Sequence, residues 1–194
     1  ILVGTQMIAK GHDFPNVALV GVLGVDSLLN LPDFRCAERS FALLTQVAGR
    51  AGRLAGGGKV FIQTYHPEHF SLACAAAQNV EAFYQQELPF RRELGYPPCG
   101  HLVNLIFSGN NGDQVNSSAT RLARHLQAVA GDVEILGPSP CPLTRLRGKY
   151  RYQILLKSPS RPPLRRLLLA VDQAAAELPR QVAIHIDIDP LDMF

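Results

Sequence analysis

The stretch QVAGRAGR, Gln46 to Arg53, sets two arginines three residues apart, each directly preceded by a glycine. At that spacing Arg50 and Arg53 share one face of a helix. A guanidinium stays charged and offers a planar fork of donors that suits a phosphate. Each glycine inside a helix costs about 1 kcal/mol relative to alanine. Gly49 and Gly52 therefore imply that something approaches the backbone closely. A surface helix whose small residues pack against a sheet fits the same letters. A second set lies upstream, in the loop GTQMIAKGHDFPNV (4–17). This loop joins two apolar runs, a place where open α/β sheets put ligands. It offers Thr5, Gln6, Lys10, Gly11 and Asp13, groups suited to phosphate oxygens and sugar hydroxyls.

Two basic segments follow. RLRGKYRY (145–152) carries Arg145, Arg147, Lys149 and Arg151 with Tyr150 and Tyr152, and no acid. Such interleaving suits a nucleic-acid backbone with base stacking. It equally suits a solvated hairpin edge whose charge discourages strand pairing. SPSRPPLRR (158–166) reads as a helix start, with Ser160 as N-cap and Pro162 and Pro163 in the first turn. Arg161 and Arg165 then flank a helix N-terminus, which itself attracts anions, or are ordinary surface arginines. HIDID (185–189) alternates His185, Asp187 and Asp189 with isoleucines, the pattern of a half-buried strand with a wet face. HPEH (66–69) reads as a helix start. Cys36, Cys74, Cys99 and Cys141 are dispersed with no C-x-x-C pair, so no metal site is expected in this chain.

The elements that must position these groups follow from periodicity. ILVGT and VALVGVLG are apolar without alternation, as in strands buried on both faces of a parallel sheet. A helix from about Phe34 or Arg35 to Arg50 or later has Phe41, Leu44, Val47 and Ala48 at helical spacing. GGG (56–58) ends it, and KVFIQTY (59–65) is the next strand. This is α/β organisation. A helical region runs from HPEHF to about Leu94 with an interruption near Pro89; Phe70, Phe83 and Leu94 are expected in the core. GYPPCG (95–100) is a breaker cluster and divides the chain into domains 1–97 and 98–194. Beyond it the order is strand (101–109), helix (114–130), strand (133–137), a Pro-rich loop (138–148), strand (150–157), helix (162–178) and strand (182–189). That is the β-α-β-β-α-β pattern of ferredoxin-like domains.

Of 194 residues, 47% are hydrophobic and 18% charged, as in a globular chain with a sizeable core. Residues 1–97 hold eight basic and eight acidic side chains, and residues 98–194 hold eleven and eight. The net +3 thus sits in the second half, where an anionic partner is expected. The longest apolar run, VALVGVLGV, is too short to span a bilayer. Dispersed thiols without a secretory signal imply a reducing, cytoplasmic setting. Ile1 opens what reads as the end of a strand, so a longer protein is expected.

The two motifs together resemble motifs V and VI of the superfamily 2 helicases, T-x5-G-x-D-x-P followed by Q-x2-G-R-x-G-R. More narrowly, GTQMIAKGHDFPNV, LPDFRCAERSFALLTQVAGRAGR and IQTYHPEHF are similar to the bacterial primosomal replication-restart helicases. YPPCGHLVNL and RGKYRYQILLKSPSR extend the resemblance over the whole chain. It implies a partial RecA-like second motor lobe (parallel sheet) followed by a ferredoxin-like accessory domain. It implies a role in an ATP-dependent 3′→5′ DNA helicase that restarts stalled or collapsed forks and loads the primosome. Thr5 would meet the DNA backbone, and Gly11 and Asp13 would sense nucleotide. Gln46 would position the γ-phosphate or its attacking water, and Arg50 and Arg53 would face ATP held by another lobe. Arg145, Arg147, Lys149 and Arg151 would bind branched or single-stranded DNA. Arg161 and Arg165 would grip the acidic tail of single-stranded DNA-binding protein, alongside primosome proteins. A G-x4-G-K-[ST] loop and an Asp-Glu-x-His box are absent from this sequence. The resemblance assigns these, ATP, Mg2+ and the family's Zn2+-binding cysteine insert mainly or wholly to sequence outside this chain, so the chain alone is expected to be inactive. A degenerate lobe kept as a nucleic-acid-binding scaffold and a recombination helicase of another branch are the alternatives.

Overall fold

A computed structural model describes residues 1–5, 17–51 and 58–193. The chain divides into two compact units, Ile1–Pro89 and Phe90–Phe194.

In the first unit, β1 (Leu19–Val22) and β2 (Lys59–Ile62) pair in parallel, Leu19 opposite Lys59 and Val22 opposite Ile62. Between them run α1 (Asp26–Leu29) and α2 (Cys36–Ala51). The start of α2 is fixed by Asp33, whose carboxylate accepts the Arg35 N–H at 2.9 Å and pairs with Arg39 at 3.0 Å. Ala37, Phe41 and Leu44 on its inner face join Val25, with Val22 and Ile62 packed against them. The core is completed by α3 (Phe70–Ala76) and the start of α4 (Val80–Glu93), where Phe83 stacks on Phe41 with ring centroids 4.3 Å apart.

Four expectations for this half are corrected. Ile1, Leu2 and Val3 lie in no strand and are exposed, because no described residue pairs with that run. The β1–β2 sheet is covered on one face only: Leu19 and Phe61 on the other are each 62% exposed. The helical break falls at Ala77–Asn79, not at Pro89. Gln78 takes φ 51° and the Asn79 side chain accepts the Ala82 N–H at 2.9 Å, which together end one helix and cap the next. Pro89 lies within α4 and forgoes a single ladder bond. Phe83 is buried and Phe70 packs on the core as expected, whereas Leu94 is exposed.

The second unit has β3 (His101–Gly109), α5 (Gly112–Val129), β4 (Glu134–Leu146), β5 (Lys149–Ser158), α6 (Arg161–Ala175) and β6 (Ala183–Ile188). Its sheet order is β4-β5-β3-β6 and every neighbouring pair is antiparallel. Val103, Leu105 and Phe107 of β3 and Ile154 and Leu156 of β5 meet Leu122 and Leu126 of α5 and Leu164 and Val171 of α6. Both helices therefore pack on one face of the sheet.

The Pro-rich stretch 138–148, expected as a loop, is instead the second half of β4 and the turn that follows. β4 is an edge strand, where a proline's missing N–H costs no ladder bond. Its pairing shifts register between Leu136 and Ser139 and again between Pro140 and Arg145. No helix among the described residues is long and apolar enough to cross a membrane.

Candidate functional site

The structure places the expected residues unevenly. Gly11, Asp13 and Arg53 lie outside the described residues, as does the side chain of Arg50, the penultimate residue of α2. Thr5 is exposed. Gln46 is exposed on α2, flanked by the buried Leu44 and Val47 that seat the opposite side of the helix. A Cβ placed on Gly49 would meet nothing within 4 Å. Among the described residues nothing packs against this glycine, and the backbone is bare beside Gln46. Gly58 does serve packing, since a Cβ there would strike the Ala51 carbonyl at the end of α2.

Sequence reasoning missed Asp26. It stands just past the carboxyl end of β1, beside that of β2, where the Gln63 N–H reaches the Val22 carbonyl at 2.9 Å. Its carboxylate accepts the Thr64 hydroxyl at 2.7 Å and the Tyr65 N–H at 3.2 Å. Thr64 in turn accepts the His66 N–H at 3.0 Å. The Thr64 hydrogen bond, with help from the Tyr65 N–H and the charge of His66, holds the Asp26 carboxyl below its ordinary value. The only signal in the sequence was an acid shortly after an apolar run. His69 opens α3 as expected: its Nδ1 accepts the Ser71 N–H at 3.3 Å, and burial lowers its pKa.

In the second unit, β4 and β5 close through Arg147 and Gly148, both at positive φ (50° and 83°). This is the two-residue turn that suits the twist of a hairpin. Strand alternation splits the basic residues between two faces. Arg145 pairs with Tyr150, its guanidinium carbon 5.1 Å from the ring centroid, and its Nε donates to the Gly148 carbonyl at 3.3 Å. That ring also lies against Gly112 at the start of α5, where a Cβ would come within 3.3 Å of it. Leu146 and Lys149 pair with each other and belong to the opposite face. Arg147 and Lys149 are exposed; Arg151 is 8% exposed. Opposite Arg151, four residues of β4, Cys141 to Thr144, span the interval that β5 crosses with one. Cys141 is buried there; burial raises its thiol pKa, and the charge of Arg151 opposes that rise.

Arg161 opens α6 behind Ser160, which has extended backbone but makes no side-chain cap bond. Arg161 reaches Asp189 at 3.4 Å, and the same carboxylate meets His101 Nδ1 at 3.6 Å and accepts the Leu102 N–H at 3.3 Å. Arg165 is exposed. Ile184 and Ile186 pack on the core while His185 is exposed, but Ile188 is exposed too and Asp189 turns at φ 49°. His101 pairs with Ser158 and Gly109 with Tyr150, so Arg161 and the hairpin turn stand at opposite ends of the sheet.

Residues 92–191 match the family model of the primosomal protein N C-terminal domain. The chain belongs to the PriA family. Replication restart protein PriA of Bacillus subtilis (strain 168) is 45% identical over 196 residues, covering 100% of this chain and 24% of that protein. PriA of Synechocystis is 43% identical over 194 residues and 23% of its length, and PriA of Haemophilus influenzae 40% over 195 residues and 27% of its length. The chain thus spans about a quarter of the PriA relatives it matches. The PriA domain match begins inside α4 and takes in the whole four-stranded sheet, hairpin included. Among solved structures, the designed protein Foldit4 is similar to 46% of the chain with TM-score 0.37 and 10% identity, too slight a likeness to bear on the fold.

Proposed function

We propose that this chain works within an ATP-dependent 3′→5′ DNA helicase of bacterial replication restart, in the cytoplasm. Residues 1–97 would belong to a RecA-like second motor lobe and residues 98–194 to a ferredoxin-like domain for DNA and partners. The observation that carries this reading is the extent of the PriA match, which runs through QVAGRAGR and the antiparallel sheet alike. The parallel β1–β2 pair supports the first assignment, and the β4-β5-β3-β6 order supports the second.

The chemistry follows from charge. Phosphoryl transfer spreads negative charge over equatorial oxygens, and an arginine finger accelerates it by about 10³–10⁵-fold. Arg50 and Arg53 take that role toward ATP and Mg2+ held by another lobe, with Gln46 positioning the γ-phosphate or its water. Thr5 contacts the DNA backbone, and Gly11 and Asp13 couple it to nucleotide. The exposed Gln46 and the bare backbone at Gly49 fit a triphosphate arriving from outside this unit. ATP supplies the free energy of a closing and opening stroke. Zn2+ belongs to a cysteine-rich insert elsewhere in the full-length protein.

In the second unit, Arg145, Arg147, Lys149 and Arg151 serve branched or single-stranded DNA. Arg161 and Arg165 serve the acidic tail of single-stranded DNA-binding protein, with primosome proteins nearby. In full-length protein, Arg53→Ala is expected to abolish DNA-stimulated ATP hydrolysis while the circular-dichroism melt is kept. Near-normal turnover removes the finger.

A further inference from the structure

We infer that Arg151 is the floor of a discrete pocket for one DNA phosphodiester at the base of the β4–β5 hairpin. This inference rests on the DNA-binding reading above and deepens it.

A guanidinium removed from water needs a carboxylate, a set of acceptors or an anionic ligand. Arg151 is more than nine-tenths buried, and its Nη1 has no hydrogen-bond partner. Two acids of this domain are engaged elsewhere: Glu134 is held by Lys157 at 2.8 Å, and Asp189 by His101 and Arg161. Across the strand from Arg151 stands Ser108, and the charge of Arg151 reaches the buried Cys141, a neutral thiol. These surroundings shield Nη1 from water without neutralising the charge. Such a site is set up for an anion brought from outside.

The direction of approach is given by Lys149, two residues before Arg151 on β5 and so on the same sheet face, exposed beside Arg147 of the turn. A phosphate strand drawn to these two side chains passes directly over Arg151. The Cys141–Thr144 bulge, with its extra length of chain, is the wall that must yield to admit a phosphate oxygen. Arg147 and Lys149 supply attraction that falls off with salt; Arg151 supplies a register point, because it is buried on a strand and not carried on a solvated side chain.

The test is a scan in which a forked DNA carries one neutral methylphosphonate at a time, with binding to the full-length protein measured at each position. One position is expected to lose roughly tenfold or more in affinity, the scale of a charge-assisted hydrogen bond. Arg151→Gln, verified by its thermal melt, is expected to lose sensitivity at that position alone and to flatten the salt slope by about one. A scan with no dominant position, or one that Arg151→Gln leaves unchanged, overturns the pocket. If that variant does not fold, Arg151→Lys, which keeps the charge but not the fork, is scanned in its place, and an unchanged dominant position overturns the pocket. Arg147→Glu with Lys149→Glu separates the two failures. Should that pair weaken fork binding while the scan is flat, only the pocket is lost; should it change nothing, the DNA reading of the hairpin is lost with it.

Discussion

Asp26 is a residue whose contribution can be isolated. Its folded pKa lies below the ordinary 3.8, chiefly because Thr64 donates to the carboxylate. The stabilisation is therefore complete above the unfolded value and is lost as pH falls through the lowered folded value. Asp26→Asn is expected to reduce amide-exchange protection at Tyr65 near neutral pH, and the difference from the unaltered chain is expected to vanish below that folded value. A constant difference across the acid range would mean that charge is not what holds the Thr64–Tyr65 segment. At the same scale, the arginines of RLRGKYRY were legible as a basic cluster but not as individuals. Arg145 lies over Tyr150, Arg147 is at the turn, and Arg151 is buried. Composition fixes charge, whereas burial depends on a bulge in the partner strand.

Among the elements, α2 was readable because Phe41, Leu44 and Val47 recur at a period that any helix must share. The same local logic gave the order of strands and helices in the second unit. β4 was misread because Pro138, Pro140 and Pro142 can sit in a strand only at an edge or an irregularity, and strand order is not a local property. The helix break at Gln78 was misread for the converse reason: a proline was visible, but a positive φ in a glutamine was not. The hairpin itself can be tested as a unit. Gly148 sits at φ 83° with open space around it, so the cost of Gly148→Ala is conformational rather than steric. It is expected to destabilise the domain by about 1 kcal/mol, read from urea unfolding. Arg147→Glu with Lys149→Glu is expected to weaken fork binding and lower the salt slope by roughly two, at about 0.9 per phosphate on duplex, with the urea midpoint little changed. An unaltered slope would return these residues to the alternative of a charged edge that merely resists strand pairing.

At the scale of the molecule, the two units rest on different kinds of legibility. The second closes around its own core, so its fold could be read from its own pattern. The first leaves Leu19 and Phe61 uncovered, and a run of apolar residues cannot by itself say on how many sides it will be buried. The phosphate chemistry proposed for Arg50 and Arg53 rests on motif and not on geometry. One feature of the second unit reaches beyond both. β3 runs nine residues from His101, beside Asp189 and Arg161, to Gly109, opposite Tyr150. At about 3.4 Å per residue this is roughly 27 Å, the rise of roughly eight base pairs of B-DNA. On the roles proposed for its two tips, the domain is a measuring rod: an acidic tail at one and a duplex at the other would be held together at a separation set by the strand, which turns two weak grips into one avid one.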